Sequence, residues 1–137
     1  MGVARLPQLI TALVDTSSSQ NRRDGVAFPQ HTPIAIIERA SMPDQRVITS
    51  TLKDIVRALN SNGEQKPPGM MVIGWSVLAL SGDGDVSVLD DYDEGLELDE
   101  ERVSRWLDGT VGWKVQEGLD KRWEEFELEA LRGQLNN

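Results

Sequence analysis

Two short β-branched runs, separated by a loop that contains proline, constrain the fold of this chain more than any other feature. Residues 33–38 read Pro-Ile-Ala-Ile-Ile-Glu and residues 46–49 read Arg-Val-Ile-Thr, and both compositions are typical of strands. Between them, Pro43 has no backbone N–H to donate, which excludes one continuous strand. The stretch therefore predicts a strand, a loop and a second strand, followed by a helix that begins at Thr51.

Helical and extended patterns alternate on both sides of this pair. Apolar residues recur at helical spacing from Val3 to Val14 and again from Leu52 to Leu59, and the second helix should end near residues 60–63. Residues 70–73 form a nearly continuous apolar run, which predicts a strand buried on both faces. The first 80 residues thus predict an α/β fold, with helices around a small sheet.

The acidity of the chain is concentrated in its C-terminal part. The net charge is −9, and residues 1–80 carry 8 Lys and Arg against 6 Asp and Glu, whereas residues 81–137 carry 6 against 17. Such a field disfavours nucleic acid as a partner, because binding there depends on neutralising phosphates. Residues 81–98 predict an acidic linker, and residues 99–137, which hold three of the four Trp, predict a helical extension with a short and a longer helix.

The composition excludes several kinds of site and location. The absence of cysteine excludes disulfides, thiolate metal sites and a cysteine nucleophile. No stretch reaches the roughly 18 to 20 apolar residues of a membrane span, and the N-terminus has no apolar signal-peptide core. These features predict a cytoplasmic protein with no membrane partner.

The acidic residues and the single histidine give no strong prediction of a metal or catalytic site. The acidic cluster does not reproduce the spacing of a calcium-binding EF-hand loop, so a solvated linker is the better interpretation. Its members are Asp83, Asp85, Asp90, Asp91, Asp93 and Glu94. His31 has no cysteine or second histidine with which to bind zinc, and we expect a histidine in a loop. Taken alone, these patterns leave the activity open.

Residues 33–80 contain a series of specific motifs: Glu38-Arg39-Ala40-Ser41, Pro43-Asp44-Gln45-Arg46-Val47, Ser50-Thr51-Leu52, Pro67-Pro68 and Met71-Val72-Ile73-Gly74. In this order they resemble the tetrapyrrole methylase family, and within it the uroporphyrinogen-III C-methyltransferases. Met1-Gly2, followed by the first helix, resembles a Tyr-Met-Gly element of the family. Ser50, where the family usually has glycine, and Trp75, where a charged residue often stands, depart from its pattern.

The resemblance implies that residues 1–80 form the C-terminal subdomain of the tetrapyrrole methylase fold, a small mixed sheet with flanking helices. It implies S-adenosyl-L-methionine as methyl donor, with Met1 and Ala40 at positions that contact it. Arg46 would hold the loop or, as the weaker alternative, face substrate carboxylates. The substrate would be uroporphyrinogen III or a related tetrapyrrole of siroheme biosynthesis. The extension after residue 80 resembles those of fungal members.

The resemblance also implies that the family's glycine-rich motif and acid–base residues belong to an N-terminal domain that this chain lacks. We therefore expect no catalytic residue in this chain, and a fragment that is inactive alone. It would work with that missing half or in a homodimer. One alternative is a non-catalytic interaction module built on the half-fold; another is a different tetrapyrrole methylase.

Overall fold

The computed structural model describes residues 3–14, 27–80, 99–108 and 111–119, together with residues 121, 129 and 131–133. The helices with defined bounds are α1 (Leu6–Val14), α2 (Ile55–Ser61) and α3 (Asp99–Trp106), and short 3-10 helices cover Val3–Arg5 and Trp75–Ala79. The described residues 121, 129 and 131–133 are also helical, in the region of the predicted longer helix. The strands are β1 (Pro33–Glu38), β2 (Arg46–Thr51), β3 (Gly69–Ile73) and β4 (Trp113–Glu117). The α/β class predicted from the sequence is confirmed.

The four strands form one sheet in the order β3-β1-β2-β4. All three pairings of these strands are antiparallel, so the described part of the sheet is not the mixed sheet that the resemblance implied. β1 and β2 form the predicted hairpin, in which Glu38 lies opposite Arg46 and Pro33 lies opposite Thr51. The hairpin is the centre of the sheet, and residues 39–45 connect its strands.

The hydrophobic core lies on one face of this sheet, under α1 and α2. Ile36 and Ile48 are opposite each other in the hairpin and are fully buried there. The other buried members of the core are Leu6, Ile34, Leu52, Ile55, Ala58 and Leu59. Side chains alternate between the two faces of a strand, so every second hairpin residue contributes to this core and the remainder point to the opposite face.

The start of α2 differs from the sequence prediction. Thr51 is the last residue of β2, and Asp54 occupies the position before the helix without a side-chain cap hydrogen bond. The backbone N–H of Leu52 donates to the carbonyl of Thr32, at 3.0 Å, which keeps this segment on β1. Sheet pairing therefore extends two residues beyond the predicted end at Thr49, because it outweighs a local capping preference. The helix ends near Asn60, as predicted.

β3 is an edge strand, and the prediction that it is buried on both faces was wrong. None of its residues is fully buried, and Met70 keeps 53% of its surface exposed. Met71 and Ile73 point to the core face and pack against it. An apolar run alone reveals neither whether other elements cover both faces of a strand nor whether the strand lies at the edge of its sheet.

The C-terminal segment contributes a strand as well as a helix. α3 begins at Asp99, as predicted, but Trp113 lies on β4, which pairs with β2 and was not predicted. The acidic residues of the predicted linker 81–98, together with Trp123 and Phe126 of the predicted longer helix, lie outside the described residues. The division into segments at residues 80 and 98 stays a prediction.

Candidate functional site

A cleft of about 580 Å³ opens on the sheet face opposite the core. Its floor includes a cross-strand row of Met70, Ile37, Val47 and Gln116, which are successive partners in the sheet register. Val77, from the 3-10 helix after β3, and Trp106, from the end of α3, also line it. The volume lies within the range of roughly 300 to 1,000 Å³ typical of small-molecule sites.

The loop 39–45 forms one end of this cleft through Ala40, Ser41 and Gln45. Arg39 and Ser41 adopt positive φ angles of 50° and 65°, a conformation that non-glycine residues rarely adopt. The backbone N–H of Ser41 donates to the Gln45 side-chain oxygen at 2.8 Å, and the N–H of Gly118 donates to the Gln45 carbonyl at 2.7 Å. These bonds hold the left-handed backbone on either side of Ala40.

An ion pair closes the same loop on its outer side. Arg39 Nε lies 2.6 Å from Asp44 Oδ2, with both side chains partly exposed. The hydrogen bond and charge of Arg39 lower the pKa of the Asp44 carboxyl below its ordinary value. Asp44 of the Pro-Asp-Gln-Arg motif thus stabilises the loop conformation and is not among the residues that line the cleft.

Of the residues predicted to contact a cofactor, Ala40 lines the cleft at the end of β1, whereas Met1 lies outside the described residues. Ala40 is exposed, and its small side chain leaves the neighbouring backbone accessible from the cleft. This position fits a backbone contact to a bound ligand. Whether either residue contacts a cofactor stays a prediction.

Arg46 points to the core face of the sheet and does not line the cleft. Its side chain is 4% exposed, and Nε donates to Glu38 Oε2 at 2.6 Å. Nη1 donates to the Asn62 carbonyl and Nη2 to the Glu64 carbonyl, and the other Glu38 oxygen accepts from the Lys66 N–H at 3.0 Å. These contacts tie Arg46 to β1 and to the backbone of Asn62 and Glu64. Whether it holds the loop 39–45 or contacts a substrate stays a prediction.

Several residues of the cleft come from the C-terminal segment, and the sequence did not single out their role. Lys114 and Gln116 of β4 line the cleft beside Trp106 and Leu119. Lys114 Nζ lies 5.9 Å from the centre of the Trp106 ring and 3.0 Å from Asp108 Oδ2. Only the unpredicted pairing of β4 with β2 brings these residues to the loop 39–45, more than 60 positions earlier in the chain.

A second, smaller cavity of about 310 Å³ lies between α3 and the start of α2. His31 lines it, with Nδ1 3.4 Å from Glu100 Oε1, and its ring is 6.3 Å from that of Trp75. His31 precedes β1, in the loop position that the sequence predicted. Among the described residues, no group of three His, Cys, Asp or Glu could hold a metal ion.

The cleft has the groups of a binding site. Ser41 and Thr49 offer hydroxyls, Gln116 offers an amide, and Lys114 offers an ammonium group, in a mainly apolar surround. Within the part of the chain that the structure describes, the cleft lining includes neither a carboxylate nor an imidazole. These groups can bind and orient a ligand. The described helices include none long and apolar enough to cross a membrane.

Comparison with known proteins finds relatives that are similar to part of this chain. A probable uroporphyrinogen-III C-methyltransferase of Schizosaccharomyces pombe is 38% identical over 80 residues, which are 58% of this chain and 14% of that protein. A siroheme synthase of Psychrobacter arcticus is 36% identical over 83 residues, 61% of this chain and 13% of the relative. A cobalt-precorrin-4 C(11)-methyltransferase of Priestia megaterium is 31% identical over 50 residues, 36% of this chain and 19% of the relative.

Two other comparisons found no match. No protein-family model matches this chain, and no solved structure matches it significantly. The chain spans about one seventh of the length of the first two relatives, so their activities as whole proteins do not transfer to it directly. Over more than half of its length, the chain is similar to uroporphyrinogen-III C-methyltransferases and siroheme synthases, as its motifs indicated.

Proposed function

We propose that this chain is part of an S-adenosyl-L-methionine-dependent uroporphyrinogen-III C-methyltransferase of siroheme biosynthesis, and that its cleft helps to hold the methyl donor. The observation that carries the proposal is the position of Ala40. This small residue stands between two left-handed residues, in a motif that resembles the family's, and lines the larger cleft of the described structure. The names of the similar proteins support the reaction class.

The residues of the cleft fit a partly apolar ligand that has polar ends. The backbone at Ala40 would contact the donor, the neutral floor around Ile37 and Val47 would exclude water, and the hydroxyl of Thr49 would orient a polar group. The bound donor would supply an electrophilic methyl group on sulfonium, which a pyrrole carbon of the tetrapyrrole accepts. Met1 is proposed as a second contact by resemblance alone.

We further propose that this chain does not methylate by itself. The described cleft lining offers no carboxylate or imidazole that could move a proton, so such groups would have to come from other residues. A separate N-terminal half, or a second copy of the chain, could supply them. We expect the working enzyme to be cytoplasmic.

Two alternative functions can be distinguished from the proposed one by ligand binding. The similarity to a cobalt-precorrin-4 C(11)-methyltransferase favours, as second candidate, a methylase that acts on another tetrapyrrole. A non-catalytic interaction module, the third candidate, would keep the loop 39–45 but bind neither donor nor tetrapyrrole. Ligand binding thus separates the enzyme proposals from the module, and the choice of tetrapyrrole separates the two enzymes.

The experiment that tests the proposal is mapping of S-adenosylhomocysteine binding by amide chemical shifts on the isotope-labelled chain. We expect the shifts to concentrate in residues 37–49 and in β4, which line the cleft, and to leave α2 on the opposite face nearly unchanged. Shifts confined to the cavity around His31 would place the ligand elsewhere and contradict the proposal. An unchanged spectrum at millimolar ligand would favour the interaction module.

A further inference from the structure

Lys114 stands apart from the other groups that line the larger cleft. Among the described lining residues it is the only one with a charged side chain, and the others are apolar, hydroxyl-bearing or amide-bearing. It lies on β4 opposite Thr49, at the side of the floor next to Trp106. A single cation among neutral lining groups favours anionic ligands, because apolar walls concentrate its electric field.

The contacts of Lys114 position its ammonium group and leave hydrogen-bond donors available for a ligand. Asp108 holds Nζ at 3.0 Å, but this carboxylate is 74% exposed, while the Lys114 side chain is 40% exposed. Such an exposed pair contributes little stability and opens readily to solvent or to a ligand. The Trp106 ring, 5.9 Å from Nζ, attracts the same cation from another side. Since an ammonium group has three donors, Lys114 can bind an incoming anion while Asp108 stays nearby.

The overall charge of the chain makes this cation more significant. At −9, the chain repels anions in general, so an anionic ligand needs a local positive group to enter. Lys114 supplies that group, with Nζ 5.9 Å from the centre of the Trp106 ring, which also lines the cleft. A ligand that carries a carboxylate next to a flat or apolar body would complement both.

We propose that Lys114 and Trp106 form a carboxylate-recognising subsite, which gives the C-terminal segment a direct part in ligand selection. The proposal rests on the proposed function. Two ligands of that reaction share the required chemistry, since the amino-acid part of the methyl donor carries a carboxylate and the tetrapyrrole carries several. Trp106 is a positioning residue here, and Lys114 is the residue that contacts the anion.

The test is ligand affinity measured on the whole chain and on three variants. Lys114→Met removes the positive charge, and Lys114→Arg keeps it. Lys53→Met is the matched control at an exposed lysine away from the cleft. The probes are S-adenosylhomocysteine, its carboxylate-free analogue 5′-methylthioadenosine, and uroporphyrin III. We expect Lys114→Met to reduce the affinity for at least one of the two carboxylate ligands by about fivefold, or roughly 1 kcal/mol. The affinity for methylthioadenosine should stay unchanged.

The pattern of losses identifies the source of the carboxylate. Loss confined to S-adenosylhomocysteine assigns the subsite to the methyl donor, and loss confined to uroporphyrin assigns it to the substrate. Retained affinity for both ligands in Lys114→Met, or an equal loss in Lys114→Arg, would overturn the proposal. Circular dichroism of each variant checks that the fold is retained.

A probe that is independent of the proposed function separates failure of that function from failure of the carboxylate subsite. If the unaltered chain binds neither S-adenosylhomocysteine nor uroporphyrin, the proposed function is wrong, and the comparison of 2-naphthoate with neutral 2-naphthamide decides the subsite. Preference for naphthoate that disappears in Lys114→Met would support a carboxylate subsite for another ligand. The absence of such a preference would overturn it.

Discussion

Glu38 and Arg46 lie directly opposite each other on β1 and β2 and form a buried ion pair, with Arg46 Nε 2.6 Å from Glu38 Oε2. Their remaining polar atoms bond to the backbone of residues 62–66, which leads into β3. The pair thus fastens three segments of the chain at one edge of the core. It also accounts for the arginine that ends the Pro-Asp-Gln-Arg motif.

Removal of one partner of this pair should destabilise the fold strongly. Arg46→Met leaves the Glu38 carboxylate buried without its cation, and we expect a loss of about 3 to 5 kcal/mol in the free energy of unfolding. Urea denaturation followed by circular dichroism measures it. The matched control is Arg57→Met, because the Arg57 side chain is 66% exposed, pairs with Asp54 just before the helix and lies 5.4 Å from the centre of the Trp113 ring, so its loss should stay well below that of Arg46→Met. Equal losses in the two variants would contradict the assignment.

The fold was predictable from the sequence where local pattern and tertiary contacts agree, as in β1, whose bounds match the prediction at Pro33 and Glu38. It was not predictable where a distant partner decides the outcome. Thr51 has the residue type of a helix cap, but pairing with Pro33 keeps it in the sheet. Met70 belongs to an apolar run, but its exposure depends on which strands lie beside β3.

The candidate site was predictable to the same extent. The resemblance pointed to Ala40, which lines the cleft. The residues from α3 and β4 could not be assigned to it, because only the folded sheet places Trp106 and Lys114 beside a loop far earlier in the chain. The segment Trp-Lys-Val-Gln-Glu is short, and its alternation is too brief to identify a strand without the β2 partner.

The turn before β4 should require glycine at position 112. Gly112 has a φ of 87°, and a Cβ there would lie 2.9 Å from Asp54 Oδ2. Gly63 is the matched control, because its φ is 78° and a Cβ would meet nothing within 4 Å. We expect Gly63→Ala to cost about 1 kcal/mol from backbone strain alone, and Gly112→Ala to cost more.

A double variant identifies the extra cost at Gly112. Asp54→Ala removes the carboxylate that the new Cβ would approach, so its combination with Gly112→Ala should be more stable than additivity predicts. Thermal or urea denaturation of the four proteins gives this coupling. Strict additivity would show that the carboxylate moves aside without cost and that backbone strain explains the whole effect.

The ion pair in the loop 39–45 should be visible in the titration of Asp44. Because Arg39 lowers the folded-state pKa of the Asp44 carboxyl, the ion pair contributes to stability above the ordinary pKa of 3.8. That contribution is lost as pH falls through the lowered folded-state pKa. We expect Arg39→Gln to raise the Asp44 pKa towards its ordinary value, as measured by carboxyl carbon chemical shifts, and Arg57→Gln to leave it unchanged. An Asp44 pKa that does not respond to Arg39→Gln would contradict the pairing.

The cleft should close when the small residue at its end is enlarged. Ala40→Leu places a larger side chain where Ala40 lines the cleft, and we expect it to reduce the affinity for S-adenosylhomocysteine by about tenfold or more. Ala4→Leu, the same substitution at an exposed position of the first 3-10 helix, should leave binding unchanged. Circular dichroism should show the same helix and strand content in both variants.

The most direct test of the central claim is a calorimetric titration of S-adenosylhomocysteine into the purified chain and into the variants Ala40→Leu and Ala4→Leu. A dissociation constant below about 0.1 mM, equivalent to roughly −5.5 kcal/mol, is the predicted result for the unaltered chain and for Ala4→Leu, with weaker binding for Ala40→Leu. A folded chain that binds no S-adenosylhomocysteine, or binds it equally well with leucine at position 40, would contradict the assignment of this cleft to the methyl donor.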